Sequence, residues 1–390
     1  MKELTAILSL KQPEELIRQL AGSGYSFAMW RMPNETESHF IISLSETRQE
    51  TDLQLANSKT GFLINAYDAN HPIAPYFIEA DIVIKNQEIS INPNISDSQI
   101  DAFKEGIRKT GQSKPLPKSE IADTNDFEAM VQNAISEIKQ GSFEKVVLSR
   151  FRDEPLPENF SPWLFFESIS KTYINAFCSL CFIPDKGMWI GASPELLLSD
   201  TKDAFKTVSL AGTKRLESGQ KLSEIAWTQK EIEEQALVSR YIINCFKKIR
   251  LREFHEHGPK TIQAGNLAHL KTEFVVDYSE VMFENLADQM LELLHPTSAV
   301  CGMPIETAKP WIAATEKYDR EFYSGFLGPV NFEAKTQLFV NLRCMKVFDG
   351  SIRFYAGAGL TEDSDPQKEF EETEMKMDVL KSILIKSDSL

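Results

Sequence analysis

Three stretches in the middle of the chain decide its fold class: AFCSLCFI (176–183), MWIGASPELLLS (188–199) and TVSLAGTKR (207–215). Each is short, apolar and fringed by polar turn residues, which is the pattern of a strand. Strand follows strand with no helix between them, so the rhythm of a parallel βα sheet is missing. The same texture extends outward. FAMWRM (27–32), HFIISL (39–44), GFLINAY (61–67) and ADIVIKN (80–86) read as strands upstream. Downstream, KVVLSRF (145–151), FVVDY (274–278), LFVNLRCMKVF (338–348) and RFYAGAGL (353–360) read likewise. Helical spacing appears at FEAMVQNAISEIKQG (127–141), which closes on Gly141, at WLFFESISKTY (163–173), over 223–250 and over 366–385. The fold class is therefore α+β, with antiparallel sheets carrying helices on their outer faces. The polar, proline-bearing passage 109–128 is the linker candidate. It separates a β-rich portion of the same fold unit, 1–115, from a larger portion, 120–387.

The 390 residues are 42% hydrophobic and 25% charged, enough apolar material for a large core. Lysine plus arginine number 42 against 57 acids, a formal net charge of −15. That surface repels a polyanion, and no basic stripe offsets it, so nucleic acid is excluded as a partner. A small anionic substrate remains allowed, provided basic side chains or a metal supply local positive charge. No stretch reaches the roughly 18 apolar residues of a bilayer span. The opening MKELTAILSLKQ is too short in its apolar run for a signal peptide. The expectation is a cytoplasmic protein with no membrane partner. Five scattered cysteines suit reduced thiols. Cys178 and Cys181 form a CxxC, but on a strand residues three apart face opposite ways, and no second pair completes a zinc site. Two buried structural thiols are expected. There is no P-loop, GxSxG or HExxH, and AGAGL (356–360) runs into acidic TEDSDP instead of a helix, so dinucleotide binding is not expected.

The last segment, PQKEFEETEMKMDVLKSIL (366–384), is a helix opened by proline. Glu369 and Glu372 lie three apart and Lys376 four further on, so all three share a face. Two such carboxylates can hold a hard cation such as Mg²⁺, and the lysine can meet a substrate carboxylate. The ordinary alternative is a solvated acidic first turn that complements the helix dipole. TQKEIEEQALVSRYIINCF (228–246) offers Glu231, Glu233 and Glu234, again surface charges by default. Lys145 opens an apolar strand, where a partly desolvated amine is a usable base; plain snorkelling is the alternative. Glu195 is a lone acid in apolar surroundings, where a raised pKa suits a general acid. The small residues around Gly357 leave backbone N–H groups open to an anion.

In chain order, KVVLSR, GASPELL, LAGTKR, EEQALV, HPTSAVCGMP, LRCMKV, YAGAG and SDPQKEFEETEMK resemble the chorismate-utilising enzymes. That family includes isochorismate synthase, salicylate synthase, anthranilate synthase component I and aminodeoxychorismate synthase. The resemblance is strong over 125–385 and weak over the first hundred residues. It implies a single unit of two large antiparallel sheets flanked by helices, like anthranilate synthase component I, with 120–387 as the chorismate-binding catalytic region. Lys145 matches the lysine with which isochorismate and salicylate synthases activate water. Ala211 stands where aminodeoxychorismate synthase carries a nucleophilic lysine, and HPTSAVCGMP lacks the GAPK ending of the amino-transferring branch. Ala299 occupies a position where pyruvate-eliminating members tend to have threonine. DREFYSGFLG resembles the DRxxYxGxxG of isochorismate synthases.

Carried onto this chain, the resemblance implies a Mg²⁺-dependent isochorismate synthase acting on chorismate. Lys145 would be the base for water and Glu195 the acid for the departing hydroxyl. Glu234 and Glu372 would ligate Mg²⁺, with Glu369 helping; Gln235 departs from the histidine of many relatives, which leaves Glu233 as the other register. Gly212 and Thr213 would assist at the ring carboxylate, Arg343, Gly357 and Lys376 would grip the enolpyruvyl carboxylate, and His295 and Thr297 would line the ring pocket. The isochorismate would feed menaquinone synthesis, or alternatively a siderophore. Salicylate synthase and a non-catalytic chorismate-binding protein are the rival readings. No obligatory amidotransferase partner is implied, and a monomer is the default.

Overall fold

The computed structural model describes residues 7–8, 13–45, 48–49, 54–68, 75–86, 88–109, 116–119, 126–216, 219–264 and 267–387. Within them the strands are β1 (Phe27–Arg31), β2 (Ser38–Ile42), β3 (Arg48–Gln49), β4 (Gly61–Asn65), β5 (Tyr76–Glu79), β6 (Ile82–Lys85) and β7 (Glu88–Ile91). They continue as β8 (Lys145–Pro155), β9 (Phe177–Ile183), β10 (Gly187–Ser193), β11 (Leu196–Asp200), β12 (Ala204–Arg215), β13 (His255–Ala264) and β14 (Leu267–Asp277). The last are β15 (Gly302–Met303), β16 (Phe326–Val330), β17 (Thr336–Val340), β18 (Cys344–Val347) and β19 (Ser351–Leu360). The helices are α1 (Pro13–Ser23), α2 (Asp97–Arg108), α3 (Phe127–Lys139), α4 (Pro162–Thr172), α5 (Gln229–Lys248), α6 (Leu286–Leu294), α7 (Ile305–Glu316) and α8 (Pro366–Ser387).

Every named strand pairing is antiparallel, as the strand-after-strand texture requires. The strands form two sheets. One runs β15-β8-β19-β18-β10-β9-β1-β2-β6-β7 and the other β13-β14-β12-β11-β17-β16-β4-β5-β3. The early strands thus complete both sheets: β1, β2, β6 and β7 extend the first, and β3, β4 and β5 the second. The two sheets bury an aromatic layer containing Trp30, Phe62, Phe177, Trp189, Phe339 and Tyr355. Helices α1, α2, α4 and the end of α8 cover the first sheet through Leu20, Phe103, Phe166 and Leu380. Cys178 and Cys181 pack into different cores on opposite faces of β9, both as buried free thiols.

Two segments read as single strands are each two, and the difference shapes the site. MWIGASPELLLS divides into β10 in the first sheet and β11 in the second, joined through Pro194 and Glu195. LFVNLRCMKVF divides in the opposite sense, from β17 to β18, through Asn341, Leu342 and Arg343. Proline lacks the N–H that would continue a ladder, and Arg343 turns at φ +47°. Each crossover carries its polar residue through the interior between sheets. Helix α5 starts at Gln229 instead of 223, because a capping box closes there: the Thr228 N–H donates to Glu231 Oε2 at 2.6 Å. Residues 110–115 and 120–125 of the linker candidate lie outside the described residues. Among the described residues no helix is long and apolar enough to cross a membrane.

Candidate active site

The ends of β8 and β19, the two crossovers and the first turns of α5 and α8 bring charged side chains to one interior place. Lys145 opens β8 with its side chain fully buried, and its Nζ lies 3.0 Å from Glu234 Oε1. The pair sits over Gly359 of β19. A Cβ there would stand 2.4 Å from Glu234 Oε1 and 3.1 Å from Lys145 Cε, so glycine is what lets the pair form. Burial alone would push the Glu234 carboxyl up, but Lys145, Lys230 and Lys376 outweigh it and hold it below the ordinary value. One turn before Glu234 on α5, Lys230 pairs with Glu369. Glu369 is 1% exposed, and its Oε2 has no hydrogen-bond partner. Burial, reinforced by neighbouring Glu372, pushes the Glu369 carboxyl up.

Glu369, Glu372 and Lys376 share a face of α8, whose first turn is capped by Asp365 accepting from the Lys368 N–H at 3.0 Å. Lys376 Nζ lies 2.6 Å from Glu372 Oε1 and donates to the Gly357 carbonyl at 2.8 Å. Three carboxylates thus stand against three lysines, one each: Glu234 with Lys145, Glu369 with Lys230, Glu372 with Lys376. The two crossovers add Glu195 and Arg343. Glu195 is 4% exposed, and burial raises its carboxyl to about 7 against the pull of Arg343, Lys145 and Lys376. Burial pulls the Arg343 guanidinium down, while Tyr323, Glu195 and Glu372 act the other way. The local cations demanded by a net charge of −15 are these lysines and this arginine.

Gly212 and Thr213 form an irregularity in β12, where the register with β14 shifts between Ala211 and Lys214. Gly212 has φ +69°, and its carbonyl is 2.8 Å from His269 Nδ1. A carbonyl only accepts, so Nδ1 carries the proton and Nε2 offers a lone pair. Burial, with Arg343 and Lys376 nearby, lowers His269 to about 3, so the ring is neutral. Its Nε2 has no partner. A cavity of about 50 Å³ is lined by Ala299, Tyr323, Arg343, Gly357 and Lys376 among others. It matches a carboxylate in size. A larger hollow of about 560 Å³ lies between α1 and the β9–β10 turn, lined by Ile17, Met188 and Phe348, away from this cluster. The paired charges, not the volume, mark the site.

Most of the residues singled out in the sequence meet here: Lys145, Glu195, Glu234, Ala299, Arg343, Gly357, Glu369, Glu372 and Lys376. The hydroxyl of Thr297 is buried without a partner at the approach to Ala299. His295 is seated apart from the cluster. Its Nε2 lies 2.9 Å from the Ala66 carbonyl, its ring meets Phe326 edge-on, and its charged neighbours are Lys309 and Asp68. On α5 the side chain turned to Lys145 is that of Glu234; Glu233 is exposed and bonded by Gln229 at 2.8 Å. Gln235 is buried, donating to Thr272 Oγ1 at 3.0 Å and the Ser209 carbonyl at 3.3 Å, so it pins α5 to β12 and β14.

Sequence reading missed Lys230 and His269. Lys230 had a signal, standing four residues before Glu234 on the same helix face. It also missed the weight of Arg320 in DREFY. That guanidinium pairs with Glu316 and donates to the Val147 and Val300 carbonyls at 2.8 and 2.9 Å. Glu316 in turn accepts from the Ser149 N–H at 2.7 Å. The pair locks the strand of Lys145 to the segment of Ala299.

Among the described residues no three acidic, histidine or cysteine side chains stand as a ready metal cage. The chemistry nonetheless fits a hard divalent cation, since the donors are carboxylate oxygens and Glu369 Oε2 is buried and unused.

A family model described as "Chorismate binding enzyme" matches residues 36–385. Isochorismate synthase EntC of Escherichia coli K12 is 29% identical over 274 residues, 69% of this chain and 69% of that protein. Isochorismate synthase MenF of the same strain is 26% identical over 307 residues, 74% of this chain and 69% of that protein. Among solved structures, MenF, the menaquinone-specific isochorismate synthase from Escherichia coli, superposes with a TM-score of 0.76 at 20% identity, covering 94% of this chain and 90% of that one. Anthranilate synthase component I from Streptococcus pneumoniae gives 0.63 at 18% identity, covering 91% and 92%.

Proposed function

The chain belongs to the chorismate-binding enzyme family, and from that premise we propose that it is an isochorismate synthase, adding water at C2 of chorismate as the C4 hydroxyl leaves. The observation that carries this reading is the interior grouping of Lys145, Glu195 and Arg343 with three lysine-paired carboxylates. Lys145, once the ammonium of its pair with Glu234 has released a proton, takes a proton from water as the oxygen bonds to C2. The ring double bonds shift, the C4–O bond breaks, and Glu195 delivers its proton to the departing oxygen. Product and substrate have the same composition, so no co-reactant is needed. With a carboxyl at about 7, Glu195 holds a deliverable proton at neutral pH. Arg343 and Lys376 hold the enolpyruvyl carboxylate at the small cavity, and Thr297 borders the ring. Gly212 and Thr213 assist at the ring carboxylate, and neutral His269, held by the Gly212 carbonyl, has Arg343, Lys376 and Glu234 as its charged neighbours.

Glu234, Glu369 and Glu372 are the side chains for Mg²⁺, which would neutralise the ring carboxylate and fix its position. The protein works as a single cytoplasmic chain without an amidotransferase. Its product goes to menaquinone, the destination named for the MenF structure, with a siderophore as the alternative. Purified protein given chorismate and Mg²⁺ should yield isochorismate without added ammonia. EDTA should stop turnover and Mg²⁺ restore it in wild type, but not in Glu234→Ala or Glu372→Ala at ordinary Mg²⁺. Aminated product, or full activity in EDTA, would overturn the branch or the metal respectively.

Ala299 lines the carboxylate cavity and cannot hydrogen-bond. Pyruvate elimination needs the enolpyruvyl group held over the ring, so a hydroxyl at this wall should favour it. Ala299→Thr is expected to raise salicylate above the wild-type trace, read by fluorescence, at some cost in turnover. Strong salicylate formation by wild type would instead make salicylate synthase the better reading.

A further inference from the structure

We propose that Lys230 is a displaceable counter-ion of the carboxylate cluster, seated on Glu369 until a divalent cation takes its place. This rests on the metal reading above and concerns what that cation must first remove. Glu369 is a poor site for an uncompensated charge: its side chain is 2% exposed and only one of its oxygens is bonded. A buried carboxylate needs a cation, and in this arrangement the cation is an ammonium. Glu234 and Glu372, with side chains 17% and 24% exposed, are also paired with lysines, but those lysines are not free to go. The Lys145 side chain is 0% exposed, and that of Lys376, at 12%, is also tied to the Gly357 carbonyl. Lys230 is different. Its side chain is 27% exposed, and its amine makes no hydrogen bond besides the one to Glu369 among the described residues. Of the three it alone can swing to water when a stronger cation arrives.

The placement on α5 reinforces this. Lys230 and Glu234 are one turn apart on the same face, so the ammonium stands between the carboxylates of both helices. A cation ligated by Glu369 and Glu234 would occupy the space that it now fills. Charge points the same way. Three carboxylates with three lysines and Arg343 carry a net charge of +1, and a dication added without loss of a lysine would raise it to +3. Releasing Lys230 leaves +2, which a dianionic substrate cancels. The lysine therefore lowers metal affinity in the empty enzyme while keeping the cluster folded, and it couples metal retention to substrate.

The test is binding of Mn²⁺, an oxygen-seeking stand-in for Mg²⁺, to substrate-free protein, counted by the EPR signal of the free ion. Lys230→Met and Lys230→Gln should each bind Mn²⁺ at least tenfold more tightly than wild type and show a larger rise in Tm on adding it. Lys230→Arg, which keeps the charge, should bind no more tightly than wild type. Equal or weaker binding by the two neutral variants would overturn the proposal, because the lysine would then be a bystander or a helper. If wild type and all variants leave the free signal untouched, the metal reading itself fails and this proposal with it.

Discussion

Replacing Glu195 by glutamine is expected to lower chorismate turnover by about 10²–10⁴-fold while leaving the fold intact and, above pH 7, more stable than wild type. Both halves follow from where the residue sits. Glu195 lies on the β10–β11 crossover, buried between the two sheets, and burial raises its carboxyl from the ordinary 4.5 to about 7. A raised carboxyl means that the fold prefers the protonated form. Its contribution to stability is therefore complete below about pH 4.5 and is lost as pH rises through about 7. Glutamine cannot ionise and avoids that loss, by an amount on the order of 3 kcal/mol at pH 8. The wild-type rate should fall on the alkaline side of about pH 7, where the acid has lost its proton. Thermal melts at pH 5 and pH 8, beside kcat at each, separate the two roles. A glutamine variant with near-wild-type turnover would remove Glu195 from the chemistry. One that loses stability at both pH values would make the residue structural.

The strands were legible wherever apolar residues ran between turn residues, and the antiparallel class followed because strand succeeded strand. Illegible were the two places where the chain changes sheets. Periodicity reports that residues are extended and apolar; it does not report which neighbour they pair with. MWIGASPELLLS carries one unbroken apolar texture, yet Gly191 pairs with Cys344 in one sheet while Leu196 pairs with Phe339 in the other. Only Pro194 marked the break. LFVNLRCMKVF hid a second break behind Arg343, whose positive φ no residue type announces. Glu195 and Arg343 could be named from motif resemblance, but that both are crossover residues, carried inward for that reason, required the fold. The acidic turn of α8 looked like solvated charge until α5 was seen to face it. Lys230 escaped because its partner is 139 positions away. His295 stands in a motif that borders the site, yet the ring is spent on the Ala66 carbonyl.

Lys145→Met should be the most damaging single change to this chain, in two separable ways. As the base for water, its loss should cost about 10²–10⁴ in kcat. As the partner of Glu234, its loss should leave a buried carboxylate without a cation, a defect of about 3–5 kcal/mol. Methionine fills most of the volume of the lysine stem, so the damage is to charge more than to packing. The two effects are separated by a second substitution. Glu234→Gln removes the stranded charge, so Lys145→Met with Glu234→Gln should recover much of the Tm lost by Lys145→Met alone. Turnover in the double variant should stay at or below that of the single one, since neither base nor carboxylate returns. If Lys145 were only a structural counter-ion, the single variant would turn over chorismate near the wild-type rate at temperatures below its lowered Tm. If Lys145→Met turned over chorismate near the wild-type rate, the water-activating role would pass from Lys145 to another group, and His269, with its unpartnered Nε2 and Glu234 among its charged neighbours, would be the first to examine.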